Sequence, residues 1–175
     1  MFDIGEKVVY PHHGAGTIVK KEKRTVLGEE REYLTIQILH NDMTVNVPTE
    51  NAEKVGLRGV IDEETVAQVL KALTGNGTVM PKNWNRRFKH NREKMKTGDI
   101  FELAEVVRNL SLRDQDKGLS TGEKQMFVKA KKILVSELMY AKGMDEEETA
   151  DWLDGVLAGV DKPKTKALAG SAAKP

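Results

Sequence analysis

The chain has 175 residues, 39% of them apolar, and a net charge of only +1. That length holds one domain or two small ones, and no apolar run approaches the roughly 18 residues of a membrane-spanning helix. There is no cysteine, which excludes disulfides and thiolate metal sites, and Met1-Phe2-Asp3-Ile4-Gly5-Glu6 lacks the basic start and apolar stretch of a secretory leader, so the expectation is a cytoplasmic protein.

The first fifty residues read as strands. Val8-Val9-Tyr10 is a short apolar run ended by Pro11, and Gly14 and Gly16 permit a tight turn before Thr17-Ile18-Val19. Leu27-Gly28-Glu29-Glu30 reads as a hairpin tip. Leu34, Ile36 and Ile38 alternate with Tyr33, Thr35 and Gln37, the two-residue period of a half-buried strand. After the turn at His40-Asn41-Asp42, Met43, Val45 and Val47 alternate again as far as Pro48. Four or five short strands in so few residues predict a small, strongly bent sheet or barrel.

From about residue 60 the period becomes helical. Asp62 caps a predicted helix carrying Val66, Val69, Leu70 and Leu73, with Ile61 and Val66 spaced as a hydrophobic staple. Gly75-Asn76-Gly77 ends it. A basic helix follows from Asn83 to about Lys96, then one with Ile100, Leu103, Ala104, Val107 and Leu110. Ser120 and Glu123 form a capping-box pattern before Phe127, Ala130, Ile133, Leu134 and Leu138; Asp145 and Glu148 repeat it before Trp152, Leu153, Val156 and Leu157. These residues predict five helices, and a bundle explains their leucines better than a zipper does. The expected organisation is α+β: a β-rich module over 1–55, a helical module over 61–158 and a disordered tail over 159–175 rich in Lys, Pro, Ala, Gly and Ser.

The near-zero net charge hides a strong asymmetry. Residues 82–96 carry Lys82, Arg86, Arg87, Lys89, Arg92, Lys94 and Lys96 against one acid, Glu93, while residues 145–154 carry six acids and no base. The acids Asp145 to Glu148 have a plain explanation at a helix N-terminus, where they favour the positive end of the dipole. The basic segment is more informative. Trp84 and Phe88 lie among bases and amides, and Trp84 falls at the extreme start of its helix. There it has two readings. It is a core anchor, or it is an apolar wedge that partly unstacks a base step while neighbouring cations hold the phosphates.

Catalytic and metal chemistry find little support. His12 and His13 are adjacent, with His40 and His90 distant in sequence, and no nucleophile, base and orienting acid come together. Gly14-Ala15-Gly16 lacks the rest of a dinucleotide fingerprint. Lys96-Thr97-Gly98 and Ser171-Ala172-Ala173-Lys174 echo β-lactamase motifs in reversed order and count as chance. The reading is therefore a non-enzyme with no cofactor and no metal.

Several motifs resemble those of the CarD/CdnL family of bacterial transcription regulators. They are Val8-Val9-Tyr10-Pro11-His12-His13-Gly14, Val47-Pro48-Thr49-Glu50-Asn51-Ala52, Asn83-Trp84-Asn85-Arg86-Arg87-Phe88, Ala104-Glu105-Val106-Val107-Arg108-Asn109-Leu110 and Gly118-Leu119-Ser120-Thr121-Gly122-Glu123-Lys124. They run in family order from residue 2 to about 158. The resemblance implies a Tudor-like N-terminal domain that binds the RNA polymerase β subunit, a module shared with the transcription-repair coupling factor. It implies a C-terminal helical bundle that meets promoter DNA at the upstream edge of the melted bubble, where a tryptophan enters the minor groove and stabilises the open complex, often at ribosomal RNA promoters. Carried over by position, the DNA-binding residues are Trp84, Arg86, Arg87, Lys89, Lys82 and Arg92. The polymerase-binding residues are Arg24 and the strand Met43, Thr44, Val45, Asn46, Val47 and Pro48. Asn46 departs from the pattern, because some members carry an arginine there. The protein is expected to act as a monomer. Two alternatives stay open: an interaction adaptor with Trp84 buried and no direct DNA binding, and a hydrolase with an unrecognised site.

Overall fold

The computed structural model describes residues 2–160. Five strands form one antiparallel sheet: β1 (Lys7–Tyr10), β2 (Gly14–Val26), β3 (Glu29–Ile38), β4 (Thr44–Pro48) and β5 (Arg58–Gly59), in the order β4-β3-β2-β1-β5. The β2–β3 hairpin is long, and at its tip Leu27 and Gly28 both take positive φ (53° and 82°), the left-handed pair of a type I′ turn. A register shift between Ile18 and Lys20 marks a bulge that bends β2. The sheet closes over Val8, Ile18, Leu34, Ile36, Ile38, Val47, Ala52 and Leu57. The turn after β1 runs through Pro11-His12-His13, and His12 itself takes φ 71°. The histidine pair therefore sits in a turn.

Five helices follow: α1 (Glu63–Thr74), α2 (Trp84–Lys96), α3 (Ile100–Asp116), α4 (Thr121–Lys142) and α5 (Glu146–Val160). Asp62 caps α1 by accepting from the Thr65 amide, and Asn83 caps α2 through Arg86 N–H. Ser120 and Glu123 complete the predicted capping box on α4, whose C-cap Gly143 takes φ 68°. Asp145 and Glu148 exchange amide hydrogen bonds at the start of α5. The helices bury their own core around Val69, Leu73, Ala104, Val107, Leu110, Ala130, Leu134, Leu138 and Leu153.

The expected α+β order is therefore present, with two shifts at the boundaries. The sheet is completed by Arg58–Gly59, which pairs with Val8 and Val9, so the N-terminal unit runs past residue 55. At the other end α5 continues to Val160, so the first residues of the expected tail are helical; residues 161–175 lie outside the described residues. Among the described residues no helix is long and apolar enough to cross a membrane.

The first shift gives a direct expectation. A fragment ending at residue 55 loses β5 and the buried Leu57, 4% exposed, and should be less stable than one ending at 61 by about 2 kcal/mol. Equal denaturation midpoints for the two fragments would show that β5 contributes nothing to the sheet.

Candidate nucleic-acid interface

Helix α2 divides its basic residues between inside and outside. Arg87, Asn91 and Met95 face the bundle and are buried. Lys94, half-buried, ion-pairs with Glu102 and Glu105 of α3. Lys82, just before the helix, and Arg86, Lys89, Arg92 and Lys96 remain exposed. Five of the seven cations in this segment are thus presented to solvent.

Trp84 and Phe88 lie on the border between these two faces. Their rings stack at 5.1 Å with 16° between planes, and Arg92 lies over Phe88 at 5.7 Å. The indole Nε1–H donates to Ser120 Oγ at 2.8 Å. Its six-membered ring lies over Gly122, where a Cβ would come within 3.4 Å of Trp84 Cζ2. Even so, the residue is 41% exposed. The ring is neither a core anchor nor a loose surface group. One edge is packed and tethered, and the remainder faces water.

Arg87 corrects the sequence reading. It is 4% exposed, and its guanidinium forks onto Glu123, Nε to Oε2 at 2.6 Å and Nη2 to Oε1 at 3.3 Å. Its Nη1 also donates to the Lys82 carbonyl at 2.9 Å. A guanidinium enclosed in this way cannot reach a phosphate, so Arg87 is a framework residue. Burial works against the Glu123 carboxylate, but the hydrogen bonds from Arg87 and Ser120 outweigh it and hold its pKa below the ordinary 4.5. Ser120 connects the two features. Its hydroxyl accepts from Trp84 and from Glu123 N–H, and donates to Glu123 Oε1. One capping box therefore places both the indole and the buried arginine.

Helix α4 adds charge that the sequence obscured. Its only acids, Glu123 and Glu137, are 1% and 2% exposed and paired with arginines from other elements. Lys124, Lys129 and Lys132 line a shallow groove whose far wall is His40 and Asn41 of the β3–β4 turn. His12 reports this positive field. Burial, then Lys129, His13, Lys96 and Arg92, push its pKa below the ordinary histidine value. The histidines His12, His13 and His40 thus gather at the meeting of the two modules, through His40 Nε2 to the His13 carbonyl (2.7 Å) and His12 Nε2 to Lys129 Nζ (3.0 Å). Among the described residues no group of three or more His, Asp or Glu is arranged to hold a metal ion.

The residues expected to face polymerase lie on the β2–β3 hairpin and on β4, with Met43 just before it. Arg24 is exposed near the hairpin tip, paired with Glu22 and lying over Tyr33. β4 is an edge strand, hydrogen-bonded only to β3. Thr44 and Asn46 are exposed, Met43, Val45 and Pro48 half-buried, and Val47 sits in the core. Asn46 Oδ1 accepts from Thr35 Oγ1 across the strands at 2.8 Å.

Comparison with known families agrees with this two-part layout. The model described as "CarD-like/TRCF RID domain" matches residues 2–61, and that described as "CarD, C-terminal domain" matches residues 68–154. The chain belongs to the CarD/CdnL family. This is a family of RNA polymerase-interacting transcription factors. YdeB of Bacillus subtilis (strain 168), a protein named as a candidate transcription factor, is 36% identical over 148 residues, 85% of this chain and 97% of that protein. The solution NMR structure of the 72-residue N-terminal domain of Myxococcus xanthus CarD is also similar, at 24% identity over 34% of this chain and 79% of that one, with a TM-score of 0.30.

The buried pair sets two expectations. Arg87→Ala leaves buried Glu123 with only Arg113, at 4.0 Å, and should destabilise the fold by about 3 kcal/mol in chemical denaturation, whereas Arg86→Ala should cost under about 0.5 kcal/mol. Glu123 has a lowered folded pKa, so its contribution is complete above the ordinary glutamate value and disappears as pH falls through the folded one. Acid unfolding should therefore begin at higher pH in Glu123→Gln than in the unaltered chain. Coincident acid transitions would show that this carboxylate does not titrate with unfolding.

Proposed function

We propose that the chain docks on the RNA polymerase β subunit along the free edge of β4 and near Arg24, and places Trp84 in the minor groove of promoter DNA at the upstream edge of the bubble. It acts there as a single copy on the nucleoid in the cytoplasm, without catalysis, and lengthens the life of the open complex, ribosomal RNA promoters included.

The observation that carries this reading is the state of Trp84: tethered at Nε1, stacked on Phe88, and 41% exposed among cations. A wedge must partly unstack a base step, which costs a few kcal/mol. A ring already fixed in its rotamer adds little ordering entropy to that cost. The tethered nitrogen leaves the apolar part of the indole for the bases. Lys82, Arg86, Lys89 and Arg92 neutralise phosphates on either side, and Lys124 joins them from α4. α2 has no acid in its first turn, so the positive end of its dipole is not offset there. The adaptor reading calls for a buried Trp84, which this exposure disfavours.

The charge pattern suits a tethered factor. Few phosphate contacts give weak duplex affinity alone, and docking on polymerase raises the effective concentration at the promoter. On the polymerase side, an edge strand offers unpaired amides and carbonyls to a partner strand. Asn46 contributes no charge to that contact.

Two measurements test the reading. Trp84→Ala removes a half-packed ring and one hydrogen bond, so its stability cost should stay near 1–2 kcal/mol, well short of the roughly 3–5 for a core tryptophan. The same substitution should shorten open-complex lifetime about tenfold or more if the wedge is worth a few kcal/mol. An unchanged lifetime refutes the wedge. For the full chain alone, duplex binding should be weak and salt-sensitive, and each of Arg86→Ala and Lys89→Ala should lower the salt slope by about one. Absence of duplex binding at low salt would favour the adaptor.

A further inference from the structure

The two modules share no apolar core, and beside the packing of Pro11 on Gly98 their seam carries polar, directional contacts. Their buried apolar clusters are separate. At the seam, Arg58 of β5 forks onto Glu137 of α4, Nη1 to Oε2 at 2.7 Å and Nη2 to Oε1 at 2.8 Å. Its Nε donates to the Gly98 carbonyl between α2 and α3 at 2.8 Å. Glu137 also accepts from Ile61 N–H at 2.9 Å, at the start of the linker into α1. One carboxylate, 2% exposed, thus gathers the last strand of the sheet and the entry to the bundle. On the preceding residue, Ser136 Oγ accepts from Ala15 N–H of β2 at 2.9 Å. A Cβ on Gly14 (φ +100°) would come within 3.0 Å of that same oxygen. The close approach therefore requires glycine.

The geometry of these contacts matters more than their number. Apolar surfaces tolerate sliding, because their attraction has no direction. A forked guanidinium–carboxylate pair holds only in one plane and at one distance. A buried carboxylate left without its fork is penalised, so rotation of one module against the other is opposed at the first few degrees. Glu137 and Glu123 stand on one continuous helix, 14 residues apart and so about 21 Å along its axis. Glu137 fixes the sheet module at one end of α4, and Glu123 with Ser120 fixes Arg87 and Trp84 at the other.

We infer that Arg58 and Glu137 are positioning residues for the DNA contact: they lock the polymerase-interacting module to α4 at one angle, and α4 carries that angle to Trp84. The inference rests on the wedge reading above. Neither residue touches DNA in it. Their role is to keep the indole aimed at one base step while the sheet module is held on polymerase. A flexible joint would let the same two contacts form with the wedge out of register.

The test uses the full chain and two readouts. The chain has no cysteine, so cysteines introduced at the exposed Glu30 and Asp114 can be spin-labelled without background, and pulsed electron resonance reads the distance between modules. The unaltered joint should give one narrow distance distribution, and Glu137→Gln a broader one. Arg58→Lys keeps a cation beside Glu137 but removes the fork, and should broaden it to a lesser degree, so the test survives if Glu137→Gln does not fold. Both substitutions should leave duplex affinity of the chain alone unchanged, yet shorten open-complex lifetime by about 2- to 30-fold. A broader distribution together with a shorter lifetime, at unchanged duplex affinity, is the supporting result. Unchanged distributions, or broadened ones with an unchanged lifetime in a system where Trp84→Ala shortens it, overturn the inference. If Trp84→Ala itself has no effect, the wedge reading falls, and the distance measurement still decides whether the clamp sets the angle.

Discussion

A carboxylate at the third position of α4 organises the functional half of this molecule. Glu123 completes the capping box with Ser120, forks onto Arg87 and so ties the start of α2 to the start of α4. The Ser120 hydroxyl, oriented by that box, receives the Trp84 N–H. Remove the carboxylate and the reciprocal half of the capping box, the buried guanidinium's partner and the acceptor that orients the Ser120 hydroxyl are lost together. Buried ion pairs are weak evidence for stability in general. This one is better understood as fixing geometry, because its members hold side chains that have no apolar reason to stay where they are.

The same economy governs charge. Arginines enclosed by glutamates hold the frame, and lysines and arginines left in water form the outward positive face. Each acid of α4 is neutralised inside by an arginine from another element, Glu123 by Arg87 and Glu137 by Arg58. The helix surface therefore carries lysines without acids of its own, and among the described residues Lys131 alone of them is held in an ion pair, with Asp154 of α5. A protein of net charge +1 acquires a locally basic side in this way, with no need for a high isoelectric point. In the proposed reading that restraint is useful: the chain is drawn to DNA only where polymerase already holds it.

Much of this was legible in the sequence, and what was missed has a common cause. The period-two run from Tyr33 to Ile38, the cap at Asp62 and the capping box at Ser120 and Glu123 are local signals, and each element formed where its signal stood. The place of Trp84 at a helix start allowed its exposure but left the core-anchor reading open. Arg87 was misassigned because inside and outside on a thinly amphipathic helix cannot be told apart when both faces are basic; its partner lies 36 residues away. The lysine face of α4 was missed because the burial of Glu123 and Glu137 depends on arginines distant in sequence. β5 was missed because two residues, Arg58 and Gly59, carry no periodicity. In each case the deciding contact is long-range and polar, and hydrophobic pattern says nothing about it.

The central claim is that the exposed part of a tethered Trp84 is what stacks against bases. It is tested most directly by indole fluorescence in a Trp152→Phe background, where Trp84 is the single emitter, titrated at low salt with duplex and with DNA carrying a pre-melted bubble. Strong quenching with the bubble junction, lost at high salt and absent in a mixture with free nucleotides, is the result this account predicts. Emission that stays unchanged while the DNA is demonstrably bound would contradict it, because the indole would then remain in water and the cations alone would account for the contact.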